Sequence, residues 1–378
     1  MPKKKILIIE NSVHITGALK SITRSAYDLT SFFEFSFVIP KKSKSRLWIE
    51  DLGFSDIKEL PMREISRKFY SLLIYLPYLA INAVRLKRQL KERPIDLIHA
   101  NDIYNMLPVA IRLLGNTTPY ICHVRFLPNR FPALLLKFWL TLHFRFASKI
   151  VVVSEKVKQQ LPDHSKIIVI HNELPVEERY PGTLASSLSR GFYTFLYLSN
   201  FMQGKGQPFA LEAFSKIHNK LPNWRLRFVG GDMGLSKNKK YRDRLTSMAK
   251  ELGVDRKLEW KEFTTDVELE YKQADIVLNF SESESFSIAC LEAMYFGRPL
   301  IATDCGGPSE IIDHLETGIL VPNRGVDAMA NAMLDLATDN ILRDRIANRA
   351  PIVVKQKFSV ENTSHRLKEI YERSINKQ

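Results

Sequence analysis

Short apolar runs alternate with helical periodicities along the whole chain. In the first half, runs at Ile6–Ile9, Phe35–Ile39, Leu97–His99, Tyr120–His123, Ile150–Val153 and Ile167–Ile170 predict strands. Several are apolar at successive positions, as parallel strands covered on both faces are. A stretch rich in turn formers follows, from Asn172 to Arg190, with Pro175, Pro181, Gly182 and the run SSLS, and it reads as a linker. The pattern then restarts. Strands are predicted at Thr194–Leu198, Leu226–Val229, Leu258–Trp260, Ile276–Leu278, Leu300–Ala302 and Ile319–Val321. Helices are predicted near Phe209–Leu221, Arg242–Leu252, Val267–Gln273, Phe286–Phe296 and Val326–Leu336. The C-terminal stretch is helical in pattern and has no strand of its own. Two successive β/α series joined by a linker predict two doubly wound α/β domains, with ligands at the carboxyl ends of the strands. Two such domains facing one another would bind in the cleft between them.

Composition narrows the class. The chain has 378 residues, of which 45% are hydrophobic and 25% charged, so it is neither disordered nor low in complexity. Three cysteines, Cys122, Cys290 and Cys305, are too few and too scattered for a disulfide scaffold or a zinc site, and suggest a reducing compartment. No run reaches the length of a membrane span. The basic start MPKKK precedes only four apolar residues, which reads as a buried first strand in a cytoplasmic protein.

Charge is unevenly spread. Residues 1–172 hold 27 Lys+Arg against 13 Asp+Glu, whereas residues 173–378 hold 28 of each, so the net +14 belongs to the first half. Such asymmetry points to an anionic partner: nucleic acid, an acidic substrate or anionic lipid. It also fits a solvated basic surface. Two segments bear on the choice. An apolar block from Phe69 to Val84, containing Pro77, lies between Arg63, Arg67, Lys68 and Arg85, Lys87, Arg88. With Tyr70, Tyr75 and Tyr78 it suits a membrane interface, or a helix packed inside the domain. In residues 129–149, Lys137, Thr141, Arg145 and Ser148 form one polar stripe on a mostly apolar helix, which could be core or lie on a bilayer. Neither segment carries a nucleic-acid motif, so nucleic acid is the weaker partner.

The most informative stretch is SESESFSIACLEAMYFGRPLIATDCGGPSE, residues 281–310. A strand ends in a polar turn, and a helix is expected to start near Phe286. The first N–H groups of a helix have no intrahelical partner and make an anion site. Glu284 precedes that turn and Glu292 follows two turns later, about 80° apart around a helix extended that far. Helical side chains tilt toward the N-terminus, so Glu292 can reach the same region. Two carboxylates around an anion site would suit a nucleotide sugar, although spacing alone fits better a surface carboxylate beside a helix-start charge.

The segment resembles glycosyltransferase family 4, retaining enzymes of the GT-B fold. The family's signature of Glu, seven residues and Glu is here ESFSIACLE, followed by EAMYFGRP and LIATDCGGPSE. VGGDMG at 229–234 resembles its VGDG turn, and VVVSEKVK at 151–158 another of its elements. KILIIENSVHITGALKSI at 5–22 sits at its first strand and glycine loop. DLIHAND at 96–102 and YICHVR at 120–125 sit at two further strand ends. The resemblance implies an N-terminal acceptor-binding domain (1–175), a linker (176–190) and a C-terminal nucleotide-sugar-binding domain (191–355). A C-terminal helix (356–378) would pack back on the first domain.

The roles it implies follow residue by residue. Glu292 would bind the donor's ribose and Glu284 the hydroxyls of the transferred sugar. Backbone N–H groups of Phe286, Ser287 and Ile288 would hold the sugar or the diphosphate. Lys205, between Gly204 and Gly206 after a strand, would neutralise the diphosphate. His123 would sit near the anomeric centre, and Gly17 would let the first loop approach the diphosphate. His99 could be a core histidine. The family's arginine five residues before the lysine is Asn200 here, so one diphosphate contact would be lost or supplied by another cation, such as Arg125 or Lys237. No D-x-D triplet occurs, and no metal or cofactor is expected.

The resemblance thus implies a cytoplasmic retaining glycosyltransferase, peripheral on the inner face of the membrane. It would move a sugar from a UDP- or GDP-sugar to a lipid-linked glycan in bacterial surface polysaccharide or lipopolysaccharide synthesis. Asn200 leaves open a second reading, a catalytically impaired GT-B subunit that binds membrane or a partner.

Overall fold

A computed structural model describes residues 2–63, 70–174 and 191–376. The chain divides into two units, 1–175 with 360–378, and 176–359. The expected linker, 176–190, lies outside the described residues.

In the first unit the elements run β1 (Lys4–Ile9), α1 (Gly17–Asp28), β2 (Phe33–Pro40), α2 (Ser45–Asp51), β3 (Ile57–Leu60), α3 (Tyr70–Glu92), β4 (Leu97–Ala100), α4 (Leu107–Leu113), β5 (Tyr120–Val124), α5 (Ala133–Phe146), β6 (Lys149–Val152), α6 (Glu155–Lys158) and β7 (Ile167–Val169). All pairings are parallel, in the order β3-β2-β1-β4-β5-β6-β7. Every strand predicted from an apolar run is present. The sequence missed β3, because IKEL is a short, half-exposed edge strand without an apolar run.

The second unit repeats the plan. It runs β8 (Tyr193–Leu198), α7 (Gln207–Ile217), β9 (Trp224–Val229), α8 (Ser236–Glu251), β10 (Leu258–Lys261), α9 (Val267–Lys272), β11 (Ile276–Asn279), α10 (Ile288–Tyr295), β12 (Leu300–Asp304), α11 (Pro308–Ile311), β13 (Ile319–Pro322), α12 (Val326–Thr338) and α13 (Asn340–Phe358). Its parallel sheet is ordered β10-β9-β8-β11-β12-β13. Each sheet reverses its strand order once, between β1 and β4 and between β8 and β11. Such a switch point opens a crevice at the carboxyl ends, where doubly wound sheets bind ligands.

A last helix, α14 (Val360–Ile375), joins the core of the first unit. Its buried positions Thr363, Ser364, Leu367, Ile370, Tyr371 and Ser374 recur with helical period. Tyr371 meets Phe33 edge-on at 5.5 Å. The Ser364 hydroxyl donates to the buried Glu173 carboxylate at 2.6 Å, and Ser25 donates to its other oxygen at 2.8 Å.

Candidate active site

In the second unit the chemistry gathers beyond β8 and β11, the strands flanking the switch point. The loop after β8 carries Gly204, Lys205 and Gly206. Gly206 has φ 76°, and a Cβ there would lie 1.8 Å from the Phe280 carbonyl oxygen, so only glycine lets the two loops meet. Tyr197, fully buried on β8, fastens them together. Its hydroxyl donates to the Lys205 carbonyl at 2.5 Å and accepts from the Phe280 N–H at 2.8 Å. The Glu282 N–H donates to the Gly204 carbonyl at 2.9 Å.

This clamp brings the Lys205 ammonium to 2.7 Å from Glu284 Oε1, with both side chains partly exposed. The 306–307 turn supports Glu284 from the other side. Glu284 bridges to Gly306, and the Gly307 N–H donates to the Glu284 carbonyl at 2.8 Å. A Cβ on Gly307 would lie 2.2 Å from Phe286 Cα. These approaches explain why the stretch needs its glycines.

The helix start differs from expectation. Helix α10 begins at Ile288, two residues later than Phe286, because Ser287 is its cap: Ser287 Oγ accepts from the Cys290 N–H at 3.4 Å. Ser287 sits at φ 86°, a costly conformation for a non-glycine residue. It is held by Asn279, whose amide donates to Ser287 Oγ at 2.9 Å. Phe286 lies before the helix, with its ring buried 5.5 Å from Phe358. Ile288 is the first residue whose N–H belongs to the helix's opening turn.

Glu292 lies on the second turn of α10, is 6% exposed, and accepts from the Tyr271 hydroxyl at 3.0 Å. Asn200, at the other end of the Lys205 loop, holds that loop to its neighbour. Its side-chain oxygen accepts from the Gly231 N–H at 3.2 Å, and its carbonyl accepts from Gln207 at 2.9 Å. Lys205, Gly206, Glu284, Phe286, Ser287 and Ile288 therefore form one cluster of loops, with Asn200 and Glu292 built into its frame.

Gly17 and His123 belong to the first unit. Gly17 is the exposed first residue of α1, whose cap Thr16 accepts from the Leu19 N–H at 3.2 Å. His123, on β5, is buried, and its Nδ1 lies 3.3 Å from Nε2 of His99 on β4. His99 Nδ1 lies 2.7 Å from the Tyr371 hydroxyl. Burial, and then the nearby Arg125 guanidinium, push both imidazoles well below the usual histidine range. Arg125 is half-buried and anchored, donating to Asn101 at 2.9 Å, Ser21 at 2.9 Å and Asn172 at 2.7 Å. That anchoring makes it a poor substitute for the missing arginine. Lys237 is exposed in the first turn of α8.

Sequence reasoning missed Tyr197, Tyr271, Asn279 and Tyr371. Tyr197, Tyr271 and Tyr371 each reach a residue well separated in the chain, Asn279 reaches past the turn to Ser287, and no local pattern marks any of them. Among the described residues, no group of three or more His, Cys, Asp or Glu side chains is placed to hold a metal ion.

Residues 185–353 match the family described as glycosyl transferases group 1, and residues 52–178 match Glycosyltransferase Family 4. The chain belongs to the glycosyl transferases group 1 family. Among relatives of this glycosyltransferase, an uncharacterized glycosyltransferase of Haemophilus influenzae is 25% identical over 68% of this chain and 70% of its own. The lipopolysaccharide 1,2-N-acetylglucosaminetransferase of Salmonella typhimurium is 28% identical over 56% of this chain and 63% of its own. D-inositol 3-phosphate glycosyltransferase of Corynebacterium jeikeium is 31% identical, over 47% of this chain and 42% of its own length. Among solved structures, Anabaena HepE in complex with UDP and glucose superposes with a TM-score of 0.83 at 20% identity, over 98% of this chain and 99% of that one. The fold is GT-B, two Rossmann-like domains with parallel sheets.

Proposed function

We propose that this glycosyltransferase takes a sugar from a UDP- or GDP-sugar and transfers it, with retention, to a lipid-linked glycan in bacterial surface polysaccharide synthesis. The Lys205–Glu284 pair at the mouth of the second sheet carries the reading: one group for a diphosphate and one for sugar hydroxyls, set beside the N-terminus of α10. In the transfer, the bond between the anomeric carbon and the phosphate oxygen breaks and its electrons stay on the diphosphate. The acceptor hydroxyl bonds to the same face of the sugar, and its proton passes to the leaving phosphate. Lys205 and the α10 N–H groups stabilise the developing negative charge by preorganised electrostatics, without a metal ion. Anabaena HepE binds UDP-glucose, and the Salmonella relative acts on lipopolysaccharide; both support the donor and acceptor classes.

Features of the first unit support the acceptor class. Asn11, Asn82, Asn105, Tyr75, Tyr78 and Arg63 line a cavity of about 20 Å³ at the β1/β4 switch point, room for one hydroxyl-sized group. Asn82 Oδ1 and Asn105 Nδ2, an acceptor and a donor, are buried there without a partner among the described residues. The far side of α3 exposes Leu73, Ile74, Leu76, Ile81 and Val84 beside the exposed Arg85 and Arg88, and α5 exposes Leu134 and Phe138 beside Lys137 and Arg145. An apolar strip flanked by cations suits an anionic membrane surface. Tyr75 takes no part in that strip, because its hydroxyl turns inward to the Met106 N–H at 3.3 Å. Tyr70, Arg67, Lys68 and Phe69 lie outside the described side chains. No described helix is long and apolar enough to cross a membrane.

A screen of nucleotide sugars by thermal shift, followed by release of nucleoside diphosphate with membranes present, tests the reading. Stabilisation by one donor and its turnover are expected. Stabilisation without turnover would support the impaired-subunit reading instead, and no stabilisation would end both donor assignments.

A further inference from the structure

Three buried side chains from three separate elements of the first unit form a line: Tyr371 on α14, His99 on β4 and His123 on β5. The line ends on His123 Nε2, which is buried and has no hydrogen-bond partner among the described residues. The positions of the protons follow from counting partners. Suppose Tyr371 donates to His99 Nδ1. His99 then carries its hydrogen on Nε2 and donates to His123 Nδ1, and His123 carries its hydrogen on Nε2. Every group in the line is paired except that last N–H. In the reverse order, Tyr371 accepts from His99 and its own buried hydroxyl hydrogen has no acceptor, while His123 Nε2 becomes a lone pair without a donor. That leaves two unpaired groups instead of one, and each unpaired buried group is costly.

We propose that Tyr371 and His99 are positioning residues that fix His123 as its Nε2–H tautomer, so that it offers an uncharged N–H to a sugar oxygen. The role of His123 toward a sugar rests on the function proposed above; the tautomer does not. Burial of the two rings, and then the nearby Arg125 guanidinium, disfavour a further proton on either. Tyr371, on α14, thereby acts on His123 through His99.

The full chain, labelled with ring-¹⁵N histidine, gives a direct readout through long-range ¹H–¹⁵N spectra. The signals of the two rings are assigned among nine histidines by the loss of each in His99→Gln and His123→Gln. Both rings should be neutral near pH 7, with bare Nδ1 and protonated Nε2. Tyr371→Phe should move one or both toward a mixture of tautomers. An Nδ1–H ring at His123, or spectra unchanged by Tyr371→Phe, would overturn the proposal. Activity gives a second readout. His99→Gln keeps an N–H facing His123, whereas His99→Leu does not. With donor KM little changed, His99→Leu should lower kcat on the order of tenfold and His99→Gln should restore most of it. Equal loss in two variants that melt like the parent chain would also overturn it. Should the parent chain turn over no nucleotide sugar, the proposed function fails and the spectra alone decide the tautomer.

Discussion

Lys205 faces a carboxylate across 2.7 Å and is a third exposed, so the pair itself adds little to stability and its removal should be felt in chemistry. Lys205→Ala should lower donor turnover by about 100-fold while leaving the melting temperature nearly unchanged, measured by nucleotide release and calorimetry. Gly307→Ala makes the opposite case. Its Cβ would meet backbone atoms that cannot step aside, so a loss of about 1–3 kcal/mol or more is expected in denaturant unfolding. Glu173 predicts a pH effect. Burial pushes its carboxyl up to about 7, despite hydrogen bonds from Ser364 and Ser25. The folded state then keeps a proton that the unfolded chain has released, so its contribution is full below about pH 4.5 and is lost as pH rises through 7. Glu173→Gln should remove that slope, worth about 3 kcal/mol between pH 4 and 8 in unfolding experiments. The signature residues around Glu284 were legible because the stretch between two strands is short and its glycines have fixed neighbours. Tyr197 and Tyr271 were not legible, because a tyrosine on a strand or helix reads as core until its hydroxyl is seen to hold a loop, as that of Tyr197 does, or a carboxylate, as that of Tyr271 holds Glu292.

At the scale of elements, the α10 start shows what a cap decides. The apolar run suggested Phe286 as the beginning, but Phe286 is a core ring and the hydroxyl of Ser287 sets the first turn. In α3, Pro77 and the apolar block did not reveal which face would be buried. Asn82, Ala83, Leu86 and Leu90 turn inward, leaving the Leu73, Leu76 and Val84 side in water. Replacing Leu73 and Leu76 with serine should weaken binding to vesicles of anionic lipid, seen by co-sedimentation, and leave donor-induced thermal shift intact. Both residues are already exposed, so the fold loses little.

For the molecule as a whole, the basic excess of residues 1–172 predicts that vesicle binding falls as salt is raised, with neutral vesicles binding weakly at any salt. Binding that ignores salt and lipid charge would leave the basic half a solvated surface. If Lys205 and the α10 N-terminus carry the diphosphate, turnover should persist in excess EDTA; its abolition, with recovery on adding magnesium, would replace that part of the mechanism.

The sequence by itself determined two parallel β/α series and the family that they belong to. Buried parallel strands announce themselves as apolar runs, and the signature is local along the chain. Only the tertiary structure decided which residues complete the sites. Sheet order sets β8 beside β11 and β4 beside β5, and α14 returns from the far end of the chain to place Tyr371 on His99. Such contacts join positions separated by tens to hundreds of residues, a distance over which neither periodicity nor spacing carries information.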